Sequence, residues 1–168
     1  SALQDARFYE LSLALSAQGL SAVQVLRAHT LRDAQGQPYP SALSALMSPG
    51  EVPDPEALRW LPQRGTLLWT SEGDRRRRLP PALREMDLSG RLLRDFALPA
   101  HFLELGDPSR GPRNNRCFEG LAVSPDGRHA WVAMEGPLLQ DGPLPRPGQA
   151  GGPCRLTRFD LATGQADH

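Results

Sequence analysis

The chain has 168 residues, and 19 Lys+Arg balance 19 Asp+Glu, so its formal net charge is zero. That balance removes the basic footprint of a nucleic-acid binder, and no apolar run approaches the ~20 residues of a membrane span. Gly and Pro together make up about a fifth of the chain, a level that suits short strands joined by turns better than long helices. No basic segment followed by an apolar one opens the chain, so no signal peptide is read, which leaves location open. The two cysteines, Cys117 and Cys154, have no zinc-site spacing. They are either one disulfide or two small buried residues.

In chain order, "RFYELSLAL" alternates Tyr9, Leu11, Leu13 and Leu15 against Glu10, Ser12 and Ala14. That period of two predicts a half-buried strand, with a helix over 2–17 as the competing expectation. "AVQVLRAHTLR" follows as a second strand. Residues 33–55 form a turn-rich connection with room for a short helix at "SALSALM". "ALRWL" and "GTLLWTSEG" are strands around the turn Pro62–Gly65, and "ALREMDL" and "RLLRDFALP" form a hairpin around "SG". "CFEGLAV", the turn "SPDG", "HAWVAMEG" and "CRLTRFDL" then repeat the series. The sequence ends where its fourth strand is expected to start.

The repeat holds one spacing over its first two strands and a longer one after them. Glu119 lies 63 positions after Glu56, and Glu135 lies 63 positions after Glu72. Asp160 lies 73 positions after Asp87. The ten extra residues fall in the loop "GPLLQDGPLPRPGQAGGP", where repeat units usually diverge. Four antiparallel strands recurring in this way describe a β-propeller blade. The expected fold is all-β and propeller-like, an incomplete ring of two to three blades. Residues 1–32 are a partial blade, 54–99 a full blade and 115–168 an incomplete blade. Open blade faces would favour self-association.

The first strand of a blade lines the central channel, and the start of the first strand lies beside the end of the second. Asp54, Glu56, Glu72, Glu119 and Glu135 are therefore expected at one rim. Clustered carboxylates need compensation, and an all-oxygen set suits Ca²⁺. No histidine accompanies these motifs, which speaks against zinc; His29, His101, His129 and His168 are read as carrying no function. The plain alternative is that the carboxylates cap turns and hydrogen-bond backbone amides between blades. "RRRR" at Arg75–Arg78 is either a solvated hairpin tip or an arginine cluster that captures phosphate. Asp126 is read as a turn residue, and Trp60, Trp69 and Trp131 as core.

The runs "DPEAL", "LLWTSEGD", "REMDLSGRLLRDFALP", "RNNRCFEGLAVSPDGRHAWVAMEGPLLQDG" and "CRLTRFDLATGQ" resemble the bacterial phytase-like family ("esterase-like activity of phytase"). The resemblance runs from about Asp54 to Gly164. It implies a β-propeller, a usually exported protein and a phosphoesterase activity attributed to recurring acidic residues. Carried onto this chain, it implies Glu119 and Glu135 as catalytic residues. Asp54, Glu56, Glu72, Glu119 and Glu135 would be metal ligands, and Arg113, Asn115, Arg116 and Asp141 would contact a small phosphoester. Cys117 departs from the pattern, standing where glycine is usual, and the chain is expected to hold about half of a full-length member. Two other functions share the acidic channel: a non-catalytic binding or scaffold propeller, and a lactone or ester hydrolase.

Overall fold

Turn chemistry sets the strand boundaries in the computed structural model, which describes residues 4–47 and 50–167. β1 (Arg7–Ser16) and β2 (Gly19–Thr30) form a two-stranded hairpin. β3 (Pro55–Leu61), β4 (Thr66–Ser71), β5 (Ala82–Met86) and β6 (Leu92–Asp95) form a four-stranded antiparallel sheet in sequence order. β7 (Phe118–Val123), β8 (His129–Met134), β9 (Leu156–Asp160) and β10 (Ala166–Asp167) form a second. The fold is all-β and propeller-like. The fourth strand of the second sheet, expected to be missing, begins at Ala166–Asp167.

The tight turns use side-chain acceptors. Asp87 accepts the N–H groups of Ser89 and Arg91 between β5 and β6, and Asp126 accepts the hydroxyl of Ser124 and the N–H of Arg128 between β7 and β8. Asp126 is thus the turn residue expected. Gly90 in the β5–β6 turn has φ +90, and a Cβ there would lie 2.4 Å from the Thr30 carbonyl oxygen. Only glycine permits both the conformation and the approach.

The two sheets share one register. Leu58 faces Trp69 in the first and Leu121 faces Val132 in the second, each 63 positions on. Trp69 faces Arg84 and Val132 faces Thr157, the latter partner 73 positions on. Their facing sides enclose a core built on Leu61, Leu68, Leu83, Phe102, Phe118, Val132 and Phe159. Phe102 meets Phe118 edge-on at 4.9 Å, and Phe96 meets Phe159 at 6.1 Å. The far side of the first sheet is covered by Leu31 and Tyr39, which join Leu67, Trp69 and Met86.

Three sequence expectations are corrected. The hairpin β1–β2 is a strand pair and not a helix over its described part, but it is not half-buried. Tyr9, Leu11, Leu13 and Leu15 remain 47–78% exposed, because only the base of the hairpin, at Ala6 and Phe8, packs against the first sheet. "SALSALM" makes a single 3₁₀ turn, Ser44–Leu46. Of the tryptophans only Trp69 is core; Trp60 and Trp131 are exposed. Trp60 shares a face with Leu67 at the open side of the hairpin, and Trp131 lies under Arg158 on the outer face of the second sheet.

Replacing Phe159 with Ala should lower the unfolding free energy by about 3–5 kcal/mol through lost transfer energy and a residual cavity. Leu13→Ala on the exposed hairpin should stay within about 0.5 kcal/mol. Urea unfolding of both variants checks the contrast.

Candidate metal centre

Glu56 and Glu119 each sit at a β-bulge. Pro55 pairs with Ser71, and the next pair is Leu58 with Trp69. Phe118 pairs with Met134, and the next pair is Gly120 with Ala133. The extra residue bends the strand and re-aims the carboxylate. Glu72 and Glu135 follow directly after β4 and β8. The Glu72 N–H donates to the Asp54 carbonyl at 3.1 Å, and the Glu135 N–H donates to the Cys117 carbonyl at 2.8 Å. Position for position, Cys117 thus takes the place that Asp54 holds in the first sheet. Gly73, next to Glu72, has φ +73, and a Cβ there would sit 2.5 Å from the Leu79 carbonyl oxygen.

These local features bring the carboxylates together in two groups that share Glu72. One is Asp54, Glu56 and Glu72; the other is Glu72, Glu119 and Glu135. Within each, one carboxylate oxygen per residue lies within 4.8 Å of the others. Glu72 is buried at 5% exposure, whereas Glu56, Glu119 and Glu135 are exposed. The Glu72 carboxylate accepts the Cys117 N–H at 3.2 Å, a bond from the end of β4 to the start of the next sheet.

Electrostatics follow from this crowding. Loss of hydration, then repulsion from Glu119 and Asp54, pushes the Glu56 carboxyl up to about 7. Burial also raises Glu72, helped by a hydrogen bond shared with Glu119 and opposed by the Cys117 N–H. Burial and the nearby Glu72 charge push the Cys117 thiol well up, and its sulfur belongs to neither carboxylate group. The donor set is therefore all oxygen, which suits a hard divalent cation. The two cysteines are free, Cys117 buried and Cys154 exposed.

The residues expected to hold substrate divide. Arg116 pairs with Glu135 at the rim. Asn115, with Asn114, lines a cavity of about 280 Å³ that also contains Asp54, Gly73, Asp74 and Arg77. Arg113 and Asp141 are engaged elsewhere. Arg113 donates to the carbonyls of Pro137 and Gly142 at 3.1 and 2.7 Å. Asp141 takes both arms of Arg155 at 2.6 and 2.8 Å. Both residues pin the inserted loop. A larger cavity, about 810 Å³ between the hairpin and the first sheet, contains none of the five carboxylates.

None of the described histidines joins the carboxylates. His29 stacks on Phe8 at 4.7 Å and His101 leans on Phe102 at 4.4 Å. His129 lies on β8, and His168 lies outside the described residues. Asp74 and the Cys117 amide were not anticipated from the sequence. The offset of 63 that aligns Cys117 with Asp54 was the signal available for the last.

The chain belongs to the Phytase-like family, described as "Esterase-like activity of phytase", whose match covers residues 1–168. That membership supports a phosphoesterase-related propeller at the level of the family. No curated protein and no solved structure matches the chain.

The raised carboxyls set a sign for pH dependence. The folded state holds protons on Glu56 and Glu72 that the unfolded chain has already released above its ordinary value of 4.5. This contribution to stability is complete below that value and is lost as pH climbs through about 7. Asp87, Asp126 and Asp141, all lowered, act oppositely but only at more acid pH. The metal-free melting temperature should fall across the interval from about 4.5 to about 7. Glu72→Gln should flatten that slope; a wild-type melting temperature that rises across the interval would contradict the assignment.

Proposed function

We propose that the acidic rim is the centre of a metal-assisted phosphoester hydrolase, with Asp54, Glu56, Glu72, Glu119 and Glu135 holding Ca²⁺. The observation that carries this reading is the convergence of five carboxylates from two equivalent hairpins, with one short arginine contact, Arg116 to Glu135, as the compensation among the described residues. A repulsive cluster of this density is stable only when protonated or loaded with a cation. When bound, the cation supplies charge to polarise phosphoryl oxygens and acidify a water.

The chain's own groups then have distinct tasks. Glu119 is exposed and stands in one carboxylate group with Glu72 and Glu135, so its carboxylate is the group suited to accept a proton from the attacking water. Glu72 is held by the Cys117 N–H and orients Glu119. Arg116 restrains Glu135, which shares the ligand role and stands at the same opening. Arg116 and Asn115 offer donors to an anionic substrate.

A second reading has its own observation. The buried bond from Glu72 to the Cys117 amide is what a purely structural carboxylate would make, so a non-catalytic binding or scaffold propeller is the competing function. An ester or lactone hydrolase would use the same rim and is separated by substrate screening.

Calorimetric titration with Ca²⁺ should give a saturable isotherm and a raised melting temperature. Glu119→Gln should reduce turnover of a model phosphomonoester by about 10²-fold or more, while its metal-free melting temperature stays close to wild type. Unchanged turnover in that variant, or the absence of Ca²⁺ binding in the wild type, would favour the structural reading.

A further inference from the structure

Four consecutive arginines, Arg75–Arg78, leave the acidic rim, and the fold treats them differently. Arg75 is a strut: its guanidinium donates to the carbonyls of Glu104, Asp107 and Pro112. Arg78 takes the left-handed conformation that ends the 3₁₀ turn. Arg76 is exposed and is not among the residues lining the cavity beside the carboxylates. Arg77 alone of the four lines the cavity beside the carboxylates. Its side chain is 41% exposed, and its ion-pair partner is Asp74 at 3.6 Å, longer than a hydrogen bond. One oxygen of Asp74 is already committed to the N–H groups of Arg76 and Arg77, at 2.9 and 3.2 Å.

The cavity is asymmetric in chemistry. Asp54 belongs both to its wall and to the group Asp54–Glu56–Glu72, and Gly73 brings the backbone beside Glu72 into the same wall. Arg77 and the amides of Asn114 and Asn115 supply donors. Asn115 holds φ +56, a conformation asparagine tolerates better than most side chains. Acidic oxygens and side-chain donors around one small space match a group that binds a cation with some oxygens and a guanidinium with others. A phosphoryl group does this, because its oxygens diverge tetrahedrally and a guanidinium fork spans two of them.

We propose that Arg77, with Asn114 and Asn115, forms the phosphoryl-binding subsite of the acidic rim. The assignment rests on the reading of the rim as a phosphoester site and names the residues that hold the substrate's charge. A volume of about 280 Å³ takes one phosphoryl group and a small alcohol portion.

The probe is inorganic phosphate, titrated into the intact chain with and without saturating Ca²⁺ and followed by calorimetry and phosphorus NMR line broadening. Wild type should bind phosphate, more tightly with Ca²⁺. Arg77→Ala should weaken binding by about tenfold or more, Arg77→Lys should fall between the two, and Arg76→Ala, which removes the same charge outside the cavity, should stay within about twofold of wild type. The Ca²⁺ isotherm and melting temperature of Arg77→Ala should match wild type, which separates loss of the subsite from loss of the fold. Phosphate binding unchanged in Arg77→Ala, or equally weakened in Arg76→Ala, overturns the subsite while leaving the metal reading intact. A wild type that binds Ca²⁺ but no phosphate overturns it in the same way. Arg77-dependent phosphate binding in a protein that shows no Ca²⁺ isotherm supports the subsite and removes the metal reading instead.

Discussion

The carboxylate of Glu72 is the joint on which the rim depends. It is buried, it accepts the Cys117 N–H, and one of its oxygens lies within 4.8 Å of a Glu119 carboxylate oxygen. A buried carboxylate is tolerable only with donors, and here the donor comes from the first residue leading into the neighbouring sheet. The bond therefore sets how close β7 comes to the end of β4. That closeness brings Glu119 against Glu72 and puts Glu56, Asp54 and Glu135 within reach. Burial, together with repulsion between carboxylates this close, raises the Glu72 carboxyl above its ordinary value.

Elsewhere the sheets are joined by means that leave the rim acidic. Arg64 donates to the Leu161 carbonyl and to Glu85, and Arg94 donates to the carbonyls of Leu161 and Ala162. Arg84 is buried between the rings of Tyr39 and Trp69, each 5.4 Å away, and pairs with Glu51 and Asp95. Arg113 and Arg155 hold the inserted loop. Each of these cations is engaged away from the carboxylate cluster. Arg116 is paired at the rim, and Arg77 carries a long, partial ion pair beside it. The distribution of arginine is thus part of how the acidic character of the site persists in a chain of zero net charge.

Much of the blade pattern was legible because strand register is set locally. The turns at Pro62–Gly65 and Pro125–Arg128 have matching placement, so equal spacing of Glu56 and Glu72, and of Glu119 and Glu135, had to place each pair at one end of its hairpin. The inserted ten residues were visible by subtraction. The roles of Arg113 and Asp141 were not, since proximity in sequence to Glu119 and Glu135 says nothing of which carbonyl or guanidinium is nearest after folding. The exposure of Tyr9, Leu11, Leu13 and Leu15 was hidden for the same reason. Alternation tells which side chains share a face, and burial depends on whether another element covers it.

Sequence alone thus determined the strands, their pairing into four-stranded units and the recurrence of the acidic positions, because period-two patterning and turn residues act over a few neighbours. Tertiary structure decided the rest. It set Cys117 against Glu72, turned one arginine of four into the cavity, and merged carboxylates from separate hairpins into one cluster. Those outcomes depend on the distance between sheets, a quantity set by core packing and by one buried hydrogen bond, and no local pattern encodes it.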